Sequence, residues 1–133
     1  MTHTKLTVEA WLVIGPSASV PGVLQLLEGR LSFTASGSAK LTSPQLRILE
    51  RTARQPGLAE RLSQGKDVKV FDVPLDQVDE VVFRWFDFGG GAAFVIGGTH
   101  FRLTFLRPET LKATPSRWTR IGETLKAALR GGR

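Results

Sequence analysis

Apolar and polar residues alternate along most of the chain, and this period of two predicts β-strands. The pattern is clearest over residues 30–35, where Leu31, Phe33 and Ala35 share one face and Arg30, Ser32 and Thr34 share the other. Similar runs predict seven strands in all, over Val8 to Ile14, Val20 to Leu27, Arg30 to Ala35, Val68 to Val73, Glu80 to Phe88, Ala92 to Ile96 and His100 to Leu106.

Short breaks rich in glycine separate these strands. Glu28-Gly29, Gly89-Gly90-Gly91 and Gly97-Gly98 are typical of tight hairpin turns, because glycine adopts the positive φ that such turns require. Residues 15–19 predict a longer loop. Hairpin turns between neighbouring strands favour an antiparallel meander.

The pattern becomes helical between the third and fourth strands. Ser43 is predicted to be the N-cap of a helix, with Pro44 in its first turn. Leu46, Leu49 and Ala53 follow at helical spacing, Pro56-Gly57 breaks the helix, and Leu58 to Leu62 predicts one or two further turns. We therefore expect a helical insertion at about 40–66.

A second helix is predicted at the C-terminus, where Thr114-Pro115-Ser116 is a start signal. Trp118 leads an apolar stripe that covers about 120° of helical arc, at 100° per residue. The stripe consists of Trp118, Ile121, Gly122, Leu125, Ala128 and Leu129. The pattern thus predicts a mostly β protein in which one C-terminal α-helix covers the sheet.

Three parts of the sequence resemble the pleckstrin-homology superfold, including its GRAM-like and bacterial members. They are the phrase from Val70 to Val78, the glycine-separated strands that end in residues 101–105, and Trp118 in the closing helix. The resemblance covers residues 7–130 apart from 40–66. It implies a single domain over residues 1–133, built as a seven-stranded antiparallel barrel or sandwich with a helical insertion between strands 3 and 4.

The resemblance also implies an open end formed by residues 15–19, by the insertion and by Gly97-Gly98. Members that bind inositol phosphates carry a basic pattern beside the first of these loops. Residues 15–27 of this chain hold no charged side chain, which argues against specific phosphoinositide recognition. Members of the superfold bind lipids, peptides or proteins, so the resemblance does not choose between these ligands.

Size and composition are those of one ordinary domain. The chain has 133 residues and no cysteine, which excludes disulfides and thiolate metal sites. No apolar run approaches the roughly 18 residues of a membrane span. A signal peptide would need a longer apolar stretch than Ala10 to Ile14, although residues 17–19 resemble a cleavage site. We expect a cytoplasmic protein, at the periphery of a membrane if it binds lipid.

Charge is distributed unevenly along the chain, whose net charge is +6. Residues 40–69 hold seven basic and three acidic side chains, whereas residues 70–101 hold one basic and five acidic side chains. Residues 102–133 hold eight basic and two acidic side chains, but no aromatic interleaving suited to stacking on bases. A charge dipole of this kind orients encounters with charged partners, and nucleic acid is the least favoured of them.

Catalytic chemistry finds little support in the sequence. The two histidines are His3, near the terminus, and His100, at the start of a strand, and no Gly-x-Ser-x-Gly phrase is present. Gly89-Gly90-Gly91 leads into a strand, whereas a phosphate loop leads into a helix. The acidic residues at 72, 76, 79 and 80 are expected in turns or in solvent. We expect no enzyme, no cofactor and no metal.

Basic residues of the insertion form the first candidate site. Arg47, Arg51 and Arg54 lie within about 60° of helical arc, opposite the apolar positions, and Arg61 follows beyond the break. Such a face can contact anions or an anionic lipid surface. The alternative is a solvated face that is partly paired to Glu50.

Aromatic residues of the fifth strand form the second candidate. Phe86 and Phe88 point to one side of the strand and Trp85 to the other, so one side is either a protein interface or is covered within the domain. Together these patterns predict a non-catalytic protein-interaction or scaffolding module, with self-association as one option. The alternative is peripheral binding to anionic membrane lipid through the basic inserted helix.

Overall fold

The structure is a computed structural model that describes residues 6–15, 18–38, 40–84 and 91–104. Within these ranges the chain forms seven strands and two short α-helices, with a 3₁₀ turn at Leu75–Gln77. The elements are β1 (Leu6–Gly15), β2 (Ala18–Leu27), β3 (Arg30–Ala35), α1 (Ser43–Ala53), α2 (Leu58–Ser63), β4 (Val68–Pro74), β5 (Val78–Arg84), β6 (Gly91–Ile96) and β7 (Thr99–Thr104). The predicted mostly β class and the helical insertion between the third and fourth strands are confirmed.

All seven strands belong to one antiparallel sheet, in the order β4-β3-β2-β1-β7-β6-β5. The sheet is open, with β4 and β5 at its two edges in the described part of the chain. β1 joins the two halves, since it pairs with β2 along most of its length and with β7 over Trp11 to Val13. The predicted meander is therefore confirmed within two runs of strands, β1–β4 and β5–β7. It does not continue from β4 to β5, which lie at opposite edges of the sheet, and the two runs are joined by the pairing of β1 with β7.

The predicted hairpin turns are present where the structure describes them. Glu28 and Gly29 connect β2 to β3 with φ values of 52° and 75°, and Gly97 and Gly98 connect β6 to β7 with φ values of 57° and 80°. Positive φ at both central residues matches the turn to the right-handed twist of the strands. β5 begins at Val78, two residues before the predicted start, because the chain leaves the 3₁₀ turn directly into the strand.

A β-bulge changes the side-chain phase of β4. Phe33 of β3 is paired with Phe71, but the next residue, Thr34, is paired with Lys69, so Val70 is the extra residue on β4. Both Val70 and Phe71 are consequently buried, although neighbouring residues of a regular strand point to opposite faces. Phe71 thereby reaches the core on the same side as Phe33.

The core lies on the concave side of the sheet. Leu31, Phe33 and Ala35 are fully buried, as their alternation predicts, and so are Phe94 of β6 and Leu103 of β7. The ring of Phe71 lies 6.3 Å from that of Phe33 and 6.3 Å from that of Phe94, measured between ring centroids. Since β4 and β6 belong to opposite halves of the sheet, the sheet curls over its own core.

Helix α1 begins one residue earlier than expected, and its N-cap is Thr42 instead of Ser43. The Thr42 hydroxyl accepts a hydrogen bond from the Gln45 amide at 3.4 Å, and the Gln45 side chain accepts one from the Thr42 amide at 2.9 Å. Thr42 is the N-cap in place of Ser43 because a glutamine stands three residues after Thr42 and completes the capping box. Pro44 occupies the first turn as predicted.

The insertion packs on the sheet. Leu49 of α1 and Leu58 and Leu62 of α2 are buried in the common core. The Gln55 side-chain amide, between the helices, donates to the Lys69 carbonyl of β4 at 2.8 Å. At the base of the insertion, a Cβ on Gly37 would lie 2.3 Å from the Gly65 carbonyl oxygen, so the two segments approach as closely as glycine allows.

Several predictions lie outside the described residues. They are the C-terminal helix with Trp118, the end of the fifth strand from Trp85 onward, the glycines at 89 and 90, and Pro16 and Ser17 of the predicted loop. The rest of that loop prediction was wrong, because Gly15 belongs to β1 and Ala18 and Ser19 belong to β2. In the ranges that the structure describes, no helix is long and apolar enough to cross a membrane.

Candidate functional site

Three arginines of α1 share one exposed face of the helix. Arg47, Arg51 and Arg54 stand at positions i, i+4 and i+7, which places them one above another along the helix surface. They line a shallow depression of about 440 Å³, which Glu50, Gln55 and Pro56 complete. The sequence grouping of these three arginines thus corresponds to one continuous surface, which we call the basic face (Arg47, Arg51, Arg54).

The basic face has no anionic partner among the described residues. None of its three guanidinium groups makes a hydrogen bond or an ion pair there, and all three side chains belong to exposed residues. Arg30–Asp72 at 3.1 Å and Lys69–Asp72 at 3.4 Å are ion pairs of the described ranges, and both lie outside α1. No carboxylate of the described residues is therefore paired with the positive charge of the basic face.

Glu50 lies in the same depression but is engaged with α2. Its Oε1 accepts a hydrogen bond from the Gly57 amide at 2.8 Å and a longer one from the Ala59 amide at 3.4 Å. Both amides are at the N-terminus of α2, where backbone donors lack helical partners and a negative charge is favourable. The expected pairing of Glu50 with the arginines is thus not found in the described residues, because this carboxylate caps the next helix.

Arg61 does not join the basic face. It lies on α2, and its guanidinium donates to the Gln55 Oε1 at 2.5 Å, with a weaker contact from Nε to the Gly57 carbonyl at 3.4 Å. The break at Pro56-Gly57 changes the direction of the chain, so helical spacing from Arg54 does not extend to Arg61. The fourth predicted arginine supports the linker between the helices and is not among the residues that line the depression.

An apolar side chain on α1 was not identified from the sequence as part of this surface. Ile48 is 42% exposed, whereas Leu49 beside it is fully buried. At 100° per residue, Ile48 lies about 60° from Arg51 around the helix. The signal was present in the sequence, since Ile48 falls outside the stripe formed by Leu46, Leu49 and Ala53.

The acidic residues near β4 and β5 do not converge on a metal site. No group of three or more metal-binding side chains occurs within the described ranges. Asp79 accepts a hydrogen bond from the Gly97 amide at 3.1 Å, which holds the β6–β7 turn, while Asp76 and Glu80 are exposed. Asp72 is the acceptor of both ion pairs, so these carboxylates have separate roles.

The pKa of Asp72 reflects opposing effects. Loss of solvent around the carboxyl raises its pKa, but hydrogen bonds from Arg30 and Lys69, together with their positive charges, outweigh that effect. The net result is a pKa below the ordinary value of 3.8. Asp72 is therefore fully ionised at neutral pH and fixes Arg30 and Lys69 on the sheet.

The second predicted site falls outside the structural description. Trp85, Phe86 and Phe88 follow the last described residue of β5. His100, the histidine considered for catalysis, is an exposed residue of β7. The basic face is consequently the predicted site for which the structure provides geometry.

Comparisons with family models, curated proteins and solved structures find no match to this chain. A functional proposal therefore depends on the chemistry of the described surface. Guanidinium groups bind carboxylates and phosphates with two parallel hydrogen bonds, and they are less strongly hydrated than ammonium groups. Three such groups on one helix face can hold a row of anionic groups from a partner.

Proposed function

We propose that this protein is a non-catalytic protein-interaction module that binds an acidic segment of a partner protein at the basic face. The observation that carries the proposal is that three arginines share one surface without an anionic partner in the part of the chain that the structure describes. They line one depression, and the one carboxylate within it, on Glu50, is occupied by the N-terminus of α2. An external carboxylate or phosphate would supply the missing counter-charge.

The supporting structure holds the backbone of α1, which carries this face, in place before any partner arrives. Leu49 anchors α1 in the core, the Thr42 capping box fixes its first turn, and Gln55 ties its exit to β4. A preorganised surface loses less conformational entropy on binding than a mobile one. An extended acidic peptide can therefore bind without refolding the module.

A second candidate function is peripheral binding to anionic membrane lipid, and the exposure of Ile48 beside Arg51 favours it. An amphipathic helix normally binds a membrane by inserting its apolar face. The apolar face of α1 packs against the core through Leu46, Leu49 and Ala53, which leaves Ile48 as its one large exposed apolar side chain. Since this apolar face is not free to insert, lipid binding would depend on charge, which contributes about 1 kcal/mol per well-placed arginine. We therefore rank the acidic protein partner first.

The proposal includes a pleckstrin-homology-like fold and the absence of catalysis. The seven antiparallel strands, in two runs of consecutive strands joined by β1 and β7, and the insertion between β3 and β4 support the fold assignment. The described lining of the depression offers guanidinium, carboxylate, amide and proline groups, with no histidine or hydroxyl group among them. Such a lining suits binding better than proton transfer or nucleophilic attack.

Fluorescence anisotropy with a fluorescein-labelled hexaglutamate peptide tests the function. We expect binding at 50 mM salt that weakens at 500 mM salt, and at least tenfold weaker binding by an Arg47→Gln/Arg51→Gln variant. A Lys40→Gln/Lys66→Gln variant is the matched control, because it removes two exposed positive charges that do not line the depression.

Sedimentation with phosphatidylserine vesicles, run on the same variants, distinguishes the two candidates. Binding of vesicles without binding of peptide, lost in the Arg47→Gln/Arg51→Gln variant, would replace the protein partner by lipid. Equal peptide binding by that variant and by the lysine control would contradict a role for the basic face.

A further inference from the structure

A row of low polarity runs beside the arginines on α1. In the described ranges, Ile48 and Val23 are the large apolar side chains that are exposed, at 42% and 38%, and Ile48 shares its helix with the basic face. Pro44, four residues earlier, is also exposed. Thr52, four residues later, donates its hydroxyl to the Ile48 carbonyl at 2.8 Å, so the helix backbone occupies this polar group. We call these residues the apolar row (Pro44, Ile48, Thr52).

The apolar row and the basic face run side by side along the helix. Ile48 and Arg51 stand three residues apart, as do Pro44 and Arg47. This spacing places the members of each pair about 60° apart around the helix, with Cβ atoms about 5–6 Å apart. The strip of α1 between the two rows therefore has positive charge on one side and apolar side chains on the other.

An extended peptide has a period that fits both rows. Its side chains point alternately to opposite sides, and every second side chain advances by about 6.6 Å. Arg47 and Arg51 are four residues apart, as are Pro44 and Ile48, which is an advance of about 6 Å along the helix axis. A peptide whose backbone follows the strip between the rows can therefore direct one set of alternate side chains to the guanidinium groups and the other set to the apolar row.

We infer that the acidic segment bound at the basic face alternates acidic and apolar residues, and that Ile48 selects this pattern. The inference rests on the proposed function and names the chemistry of its partner. Alternate carboxylates would pair with the arginines, which have no anionic partner among the described residues, while the intervening apolar side chains cover Ile48. Charge complementarity orients the peptide, and burial of Ile48 distinguishes it from a uniformly acidic chain.

Fluorescence anisotropy with three fluorescein-labelled hexapeptides of equal charge tests the inference. The first peptide alternates glutamate and leucine, the second alternates glutamate and serine, and the third has three glutamates followed by three leucines. At 50 mM salt we expect the natural sequence to bind the first peptide about fivefold more tightly than either of the others, because that peptide alone presents carboxylates to the arginines and leucines to Ile48 along its whole length.

Substitutions of Ile48 connect this preference to one side chain. Ile48→Ala should bind the alternating glutamate–leucine peptide about fivefold more weakly and the glutamate–serine peptide as before. Ile48→Leu should restore the preference, since it keeps a large apolar side chain and a good helix former. Val23→Ala is the matched control, because it truncates an exposed apolar side chain on β2, and it should bind all three peptides like the natural sequence. Circular dichroism checks that each variant folds.

The outcomes separate this inference from the proposed function. Binding of hexaglutamate at the basic face, with equal affinity for the three hexapeptides, overturns the inference and leaves the protein-interaction function in place. A preference that persists in Ile48→Ala overturns the role of Ile48. Absence of binding to every acidic peptide overturns both proposals. Loss of phosphatidylserine vesicle binding in Ile48→Ala, without a difference between the hexapeptides, overturns the inference and assigns this side chain to lipid contact.

Discussion

The ring of Phe71 lies 4.8 Å from the ring of Phe101, although four strand pairings separate their strands in the sheet. Phe71 belongs to the edge strand β4, and Phe101 belongs to β7 in the other half. Their rings are tilted by 46°, which is within the geometry that aromatic pairs favour. The two rings meet in the core and not between neighbouring strands. Their contact therefore stabilises the curled form of the sheet.

Replacing Phe71 by alanine should therefore destabilise the fold strongly. The buried ring contacts aromatic side chains of β3, β6 and β7, so its removal leaves a cavity that no single strand can close. We expect the free energy of unfolding to fall by about 3–4 kcal/mol, measured by urea denaturation. Val23→Ala, at a side chain that is 38% exposed, should change it by about 0.5 kcal/mol or less. Equal losses for both variants would contradict the central position of Phe71.

Strand positions could be predicted from the sequence because they depend on local alternation. Leu31, Phe33 and Ala35 bury the face that their spacing predicts. The burial of Val70 beside Phe71 could not be predicted in this way, since it arises from a bulge in the pairing of β4 with β3. Pairing between distant strands is a long-range property that a single strand pattern does not contain.

The candidate site shows the same division. Helical spacing was sufficient to place Arg47, Arg51 and Arg54 on one face. The role of Glu50 depends on where the chain turns after Pro56, because only that turn brings the Gly57 amide to the carboxylate. The position of Arg61, which follows the break, could not be predicted for the same reason, since its neighbours depend on the turn and not on helical spacing.

The N-cap of α1 offers a test in which two adjacent residues are compared. Thr42→Ala removes the hydroxyl that accepts from the Gln45 amide, and should lower the free energy of unfolding by about 1 kcal/mol. Ser43→Ala changes the next residue, which is already helical, and should have an effect near zero because alanine has the higher helix propensity. Thermal unfolding of the two variants distinguishes the assignments. A larger loss of stability in the Ser43 variant would mean that Ser43 is the N-cap.

Ion pairing of Asp72 should make a small contribution to stability that depends on pH. Its folded pKa is lowered, so the contribution is fully present above the unfolded pKa and is lost as the pH falls through the folded value. Both pairs are partly exposed, so Asp72→Asn should lower the free energy of unfolding by about 0.5 kcal/mol at pH 7.

Denaturation at several pH values checks this expectation. The difference between Asp72→Asn and the natural sequence should be constant from about pH 5 to 7 and should shrink below pH 3.8. Asp76→Asn is the control, because Asp76 is exposed and has no partner in the described ranges. A difference that grows at low pH would contradict the sign of the shift.

Glu50 connects the stability of the insertion to its binding, and two substitutions separate these effects. Glu50→Gln keeps an oxygen that can accept from the Gly57 amide, but removes the negative charge from the depression. We expect a stability loss of about 0.5 kcal/mol or less, together with hexaglutamate binding that is about two- to threefold tighter, because the depression loses a carboxylate that repels the acidic peptide.

Glu50→Ala removes the acceptor as well and should lower the free energy of unfolding by about 1 kcal/mol. Glu9→Gln, at an exposed residue of β1 outside the depression, should change neither quantity beyond error. Weaker peptide binding by Glu50→Gln would mean that the ligand contacts this carboxylate, and that the anionic chemistry assigned to the ligand is wrong.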